Sequence, residues 1–166
     1  CSLYYGGEFY DNVFIRIRGG TARSWPKKSY KVELNENHEF LPRPGWRRVT
    51  EFDLNATYTD KSYTRAVMTA EMGQDAGVPS PDTFHVQLRQ YGAFYSVALF
   101  VEQPDKDFLI RQHLDPLGAL YKCGPGSTYD NVTAFEKKTR LTEDKSDAQT
   151  LINGLTLTGP ALENFV

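Results

Sequence analysis

The apolar positions of residues 12–34 recur at every second residue. Val13, Ile15 and Ile17 fall on one side of an extended chain and Asn12, Phe14, Arg16 and Arg18 on the other, the pattern of a strand with one covered face. Gly19-Gly20 stops the alternation, a polar loop with Thr21, Arg23 and Ser24 follows, and Pro26 bars a ladder from continuing through it. Alternation resumes over residues 29–34, with Tyr30, Val32 and Leu34 on one face and Ser29, Lys31 and Glu33 on the other. The expected product is a strand-loop-strand unit. Residues 35–45 are polar with two prolines and read as a connecting loop. Residues 49–55 then alternate weakly and supply another strand, with Phe52 and Leu54 sharing a face.

The period lengthens after residue 60. Asp60 or Thr59 can accept the orphan N–H groups of a first helical turn, and Gly77 followed by Pro79 carries stop chemistry. Within that helix Tyr63, Ala66, Val67 and Ala70 form an apolar stripe, while Arg65, Met68 and Met72 lie roughly opposite. Residues 84–88 and 94–101 flank Arg89-Gln90-Tyr91-Gly92 and read as an antiparallel hairpin. The second of these strands is almost continuously apolar, as a central strand covered on both faces would be. Pro104 ends it, and residues 105–114 turn into a short helix. A short strand at 120–122 and a helix at 141–154 with Leu151 and Ile152 inward follow, and a further helix begins in residues 158–166. These elements predict an α+β fold: a mainly antiparallel sheet with helices packed on it.

Composition narrows the function classes. With 166 residues, 40% of them hydrophobic and 13% aromatic, the chain can bury one sizeable core, so a single domain over 1–166 is expected. Its 19 basic and 21 acidic residues are scattered to a net charge of −2, which gives no footprint for nucleic acid. The longest apolar run, residues 97–101, is far too short to span a membrane. The chain starts at Cys1 rather than at Met, which reads as a fragment or a processed product. Cys1 and Cys123 are too few for a disulfide scaffold, and His38, His85 and His113 share no ligand spacing with each other or with the cysteines, so no metal site is expected. Asn55-Ala56-Thr57 and Asn131-Val132-Thr133 fit the glycosylation acceptor pattern, which has meaning only in a secreted eukaryotic protein. Two glycine-rich or lysine-bearing stretches are not phosphate loops of the Walker type. Residues 124–128 lack the following lysine, and Lys28-Ser29 is preceded by Lys27 where that motif needs glycine.

What remains is the glycine turn itself. Arg16, Arg18, Arg23, Lys28 and Lys31 surround a loop with free N–H groups, a place suited to phosphate oxygens. The segment RIRGGTARSWPKKSYKVEL at 16–34 resembles the opening signature of the CotH kinase family, the spore-coat protein H type of atypical protein kinase. The likeness continues through Asp60 and Arg65 in a D-x-x-x-x-R spacing, FYSVALFVEQPDKDFL at 94–109, GALYK at 118–122 and FEKKTR at 135–140.

This resemblance implies a kinase-like, two-lobed α+β fold that binds ATP with Mg or Mn and phosphorylates protein Ser or Thr. By the same resemblance, the Gly19-Gly20 loop covers the phosphates, Lys28 or Lys31 neutralises them and Arg18 adds charge. Residues 101–104 meet the base, with Glu102 either a nucleotide contact or a structural end-of-strand carboxylate, and Glu71 or Asp75 pairs with Lys31 or Lys28. The family's catalytic and metal-binding aspartates are expected in a segment after Val166, so this chain corresponds to the first part of the domain and should bind a nucleotide better than it catalyses. The partner implied is a protein substrate or a surface protein, at a spore or cell surface or outside the cell. A second reading makes the chain a catalytically inactive structural or interaction module of such a surface, with its cations engaged in salt bridges.

Overall fold

The computed structural model describes residues 1–124 and 130–165. Most of the turn-rich stretch at 124–128 and the last residue of the expected final helix lie outside the described residues. The fold is α+β, with antiparallel strands and four helices among the described residues. The chain divides into two compact units, Cys1–Gln103 and Pro104–Val166.

The first unit is built on a sheet of β3 (Phe14–Arg18), β4 (Ser29–Glu33), β5 (Glu51–Asn55), β6 (Thr83–Gln90) and β7 (Ala93–Glu102), in the order β3-β4-β5-β7-β6 with every pair antiparallel. The register sets Tyr30 beside Leu54, Val32 beside Phe52, and Leu54 and Phe52 beside Phe100 and Glu102. Alternation therefore carries Val32, Phe52, Leu54, Ala98 and Phe100 to one face, where all are buried. β7 is interior, as its apolar run suggested, and Leu99 on its other face is fully buried as well.

The roof over this face comes partly from the polar tract at 35–45. Phe40 bridges Val49, each donating its N–H to the other's carbonyl at 2.9 Å, and its ring lies 4.4 Å from that of Phe52. Hairpin β1 (Leu3–Tyr5) and β2 (Glu8–Tyr10) completes the cover through Tyr10 and is clamped to the tract by Arg48. Both terminal nitrogens of Arg48 donate to Glu8 at 2.8 Å, and the Tyr10 hydroxyl donates to the same carboxylate at 2.7 Å. The Arg48 hydrogen bonds, followed by that of Tyr10, pull the Glu8 carboxyl from 4.5 down to about 2. A lowered folded-state value means that the stabilisation is complete above pH 4.5 and is lost as pH falls towards 2. Glu8→Gln should therefore lower the urea midpoint at pH 6, and the gap to wild type should close as the titration nears pH 2.

Two elements depart from expectation for local reasons. Helix α1 runs from Arg65 to Asp75 and begins later than Asp60, because Tyr63 at φ 61° turns the chain before it. Asp60 still serves the helix start: its Oδ2 accepts the Arg65 N–H at 3.0 Å and its Oδ1 accepts the Ser62 N–H at 3.2 Å. No residue of α1 is buried, so its apolar stripe is only lightly covered. The hairpin connection shrinks to Tyr91-Gly92, with φ of 51° and 80°, a primed two-residue turn that lets both strands run on to the tip. Tyr95 is passed over in the β6–β7 register and forms a bulge.

In the second unit, Asp105 caps α2 (Lys106–Arg111) by accepting the N–H groups of Asp107 and Phe108 at 2.8 and 3.1 Å. β8 (Tyr121–Cys123) pairs antiparallel with β9 (Phe135–Lys137), and α3 (Ser146–Leu155) packs Ala148 and Ile152 against Phe135. Leu151 is not inward as expected. It sits about 100° round the helix from Ile152 and is exposed, since the i, i+4 pair of Ala148 and Ile152 claims the core. Helix α4 (Pro160–Phe165) docks its last aromatic ring on Gly154, where an added Cβ would meet a ring carbon at 2.0 Å. Gly154→Ala should displace Phe165, and the check is faster amide exchange across residues 160–165 with α3 still protected.

Candidate functional site

The loop between β3 and β4 is shaped by its glycines. Gly19 has φ 98°, a region that disfavours other residues, and a Cβ there would lie 3.0 Å from that of Ala22. A single 3-10 turn, Thr21–Ser24, follows and closes through Arg23 N–H to Gly20 O at 3.1 Å and Trp25 N–H to Ala22 O at 3.3 Å. The Lys28 ammonium donates to the Arg23 carbonyl at 2.8 Å and ties the chain before β4 back to the turn. At the root of the loop Arg18 sits across from Ser29, whose hydroxyl accepts the Ala56 N–H at 3.0 Å.

Alternation places Arg16, Arg18, Lys31, Glu33, Glu51, Asp53 and Asn55 on the face of the sheet opposite the core. They form a ladder of opposite charges. Arg18 pairs with Asp53, a carboxylate only 3% exposed, and donates to Asn55 Oδ1 at 2.9 Å. Lys31 meets Glu51 at 2.5 Å and Glu33 at 3.3 Å, and Arg16 reaches Glu33 at 3.6 Å. Burial draws the Lys31 pKa down, but the hydrogen bonds and charges of Glu51 and Glu33 together outweigh it and leave the group raised.

The expected site residues therefore fall into two groups. Gly19, Gly20, Arg23 and Lys28 cluster at the turn, and neither Arg23 nor Lys28 has a carboxylate partner among the described residues. Arg18 and Lys31 are nearby on the strands, but their charges are met by Asp53, Glu51 and Glu33. Glu71 is exposed on α1, and among the described residues no ion pair joins it or Asp75 to Lys31 or Lys28. Glu102 is buried at the end of β7. Its Oε2 accepts the Asp82 N–H and its own N–H donates to Asp82 O, both at 2.9 Å, while Val101 is laddered to Asp53 and Thr83. Glu102 thus ties the end of β7 to the Asp82 backbone.

Sequence reasoning did not single out Asp53. Alternation between Phe52 and Leu54 does put Asp53 on the polar face of its strand, but the cation it meets there is set by strand order. Among the described residues no three His, Cys, Asp or Glu side chains converge as a metal site, and Cys1 and Cys123 are free thiols. His85 is engaged instead at the carbonyl of Tyr63, 2.7 Å away. What the arrangement offers chemically is an anion-receptive turn: short backbone geometry fixed by two glycines, two uncompensated cations, and beside it a self-neutralised ladder that holds the strands.

Residues 15–162 match a protein-family model described as CotH kinase protein. The chain is also similar to the inner spore coat protein H of Bacillus subtilis (strain 168), with 24% identity over 129 residues, covering 78% of this chain and 34% of that protein. It thus spans about a third of the length of the curated relative it matches.

Proposed function

The chain belongs to the CotH kinase protein family, and from that premise we propose that its first unit holds the phosphates of ATP for transfer to a Ser or Thr of a protein, as part of a kinase-like fold. The observation that carries this reading is the pairing of the Gly19-Gly20 turn with two cations, Arg23 and Lys28, that lack carboxylate partners among the described residues. Free turn N–H groups and unpaired cations are what phosphate oxygens require. Arg18 and Lys31 act one step back in this reading. By neutralising Asp53, Glu51 and Glu33 they fix the strands that present the turn.

Bound ATP supplies the phosphoryl group, and positioning with charge neutralisation is most of what a protein contributes to its transfer. The described residues fit the phosphates better than they fit Mg or Mn, because no three carboxylates converge. No step of the reaction is therefore assigned to a metal held by these residues. The spore surface is the proposed location, from the name of the coat-protein relative, and no helix is long and apolar enough to cross a membrane.

A second reading rests on the charge ladder. Cations already matched by carboxylates suit a structural or protein-interaction module, as on a spore coat, in which the same fold has no nucleotide to hold. Calorimetric titration of ATP with Mg²⁺ or Mn²⁺ separates the two. Arg23→Ala and Lys28→Ala should each weaken ATP binding about tenfold or more, the loss expected for a charge-assisted hydrogen bond. Absence of heat from the folded wild-type protein would leave the module reading in place.

A further inference from the structure

The chain leaving the glycine turn borders an open cleft of about 660 Å³, lined by Pro26, Lys27, Tyr63, Phe94, Tyr95 and Val97 among others. Its walls are aromatic and held in place from behind. The Tyr95 hydroxyl is hydrogen-bonded to that of Tyr30 at 2.8 Å, and the Tyr63 carbonyl is fixed by His85 at 2.7 Å. Such walls need little ordering when a guest arrives. Phe94 is 61% and Tyr95 49% exposed, so the two adjacent rings present a contiguous apolar surface beside the cleft.

The cleft also carries a charge. The Lys27 ammonium lies 4.4 Å from the centre of the Tyr63 ring and donates to its hydroxyl at 3.1 Å, with no carboxylate partner among the described residues. A ring and an unpaired ammonium side by side suit a guest with an aromatic group next to an anion. Two occupants fit poorly. A small molecule is normally enclosed over most of its surface, which half-exposed rims cannot do. A second copy docking cleft to cleft, with the two-fold axis through the cleft, would bring one Lys27 towards the other.

We propose that this cleft docks an extended segment of a partner protein, with an aromatic side chain between Tyr63, Phe94 and Tyr95 and an adjacent Asp or Glu against Lys27. The inference uses no nucleotide, although the cleft adjoins the glycine turn through Pro26 and Lys27. Fluorescence polarisation with three pools of short, dye-labelled, end-blocked peptides tests it: a central Phe flanked by Glu, the same Phe flanked by Lys, and Ala flanked by Glu. The Phe and Glu pool should bind at least about tenfold tighter than the others, Phe94→Ala should erase most of that margin, and Lys27→Glu should turn the preference towards the Lys pool. Equal binding of the pools, no binding of any, or a preference that survives Lys27→Glu overturns the proposal. So does displacement of the peptide by ATP, which would make the cleft a nucleotide site, or a dimer in light scattering that Phe94→Ala dissociates, which would make the guest a second copy.

Discussion

Phe100→Ala should cost the first unit about 3–5 kcal/mol of folding free energy, the usual range for emptying a buried aromatic site. Phe100 is 2% exposed and its ring is packed on three others: Phe84 at 4.6 Å, Phe52 at 5.1 Å and Phe40 at 6.1 Å between centroids. Those rings come from an edge strand, a central strand and the loop over the sheet, so collapse into the cavity would need all three to move. A domain is stable by only about 5–15 kcal/mol, so the loss is a large share of the whole. Both tryptophans, Trp25 and Trp46, lie in the first unit, and their fluorescence through a urea titration reports that unit alone. The midpoint should fall sharply with an unchanged slope. Phe94→Ala on the same strand is the control. That ring is mostly exposed, and its loss should change stability by less than about 0.5 kcal/mol.

The same four rings mark how far the sequence could be read. Phe52 sits in an alternating run, and period sends it to one face with Leu54, while Phe84 and Phe100 join that face through the strand register. Phe40 stands in a tract of charges and prolines, where nothing periodic distinguishes a core residue from a loop residue, and only its bridge to Val49 explains it. Leu151 and Ile152 failed in the opposite way: adjacent apolar residues lie about 100° apart on a helix, and which of them is covered here depended on Ala148, which composition hides. At the candidate site the turn was legible because glycine at positive φ leaves a mark in sequence. The partners of its cations were not, because pairing Arg18 with Asp53 or Lys31 with Glu51 depends on strand order, and β5 lies beside β4 only in the folded sheet.

That pairing gives the second large effect. Arg18→Met should destabilise the first unit by about 3–5 kcal/mol, the range for removing one partner of a buried ion pair, because it withdraws the guanidinium from the buried carboxylate of Asp53. Most of this cost belongs to the charge left behind rather than to the bond lost. Removing both charges in Arg18→Met with Asp53→Leu should therefore restore much of the stability, and a double-mutant cycle in urea would give the coupling. The pair also separates structure from function at the site. If Arg18 serves only to neutralise Asp53 and hold the strands, the stable double variant should bind ATP within about twofold of wild type, while Lys28→Ala in the same background still loses about tenfold. If the double variant folds but loses ATP as Lys28→Ala does, Arg18 reaches the phosphates itself, and the ladder beside the glycine turn belongs to the binding site rather than to its frame.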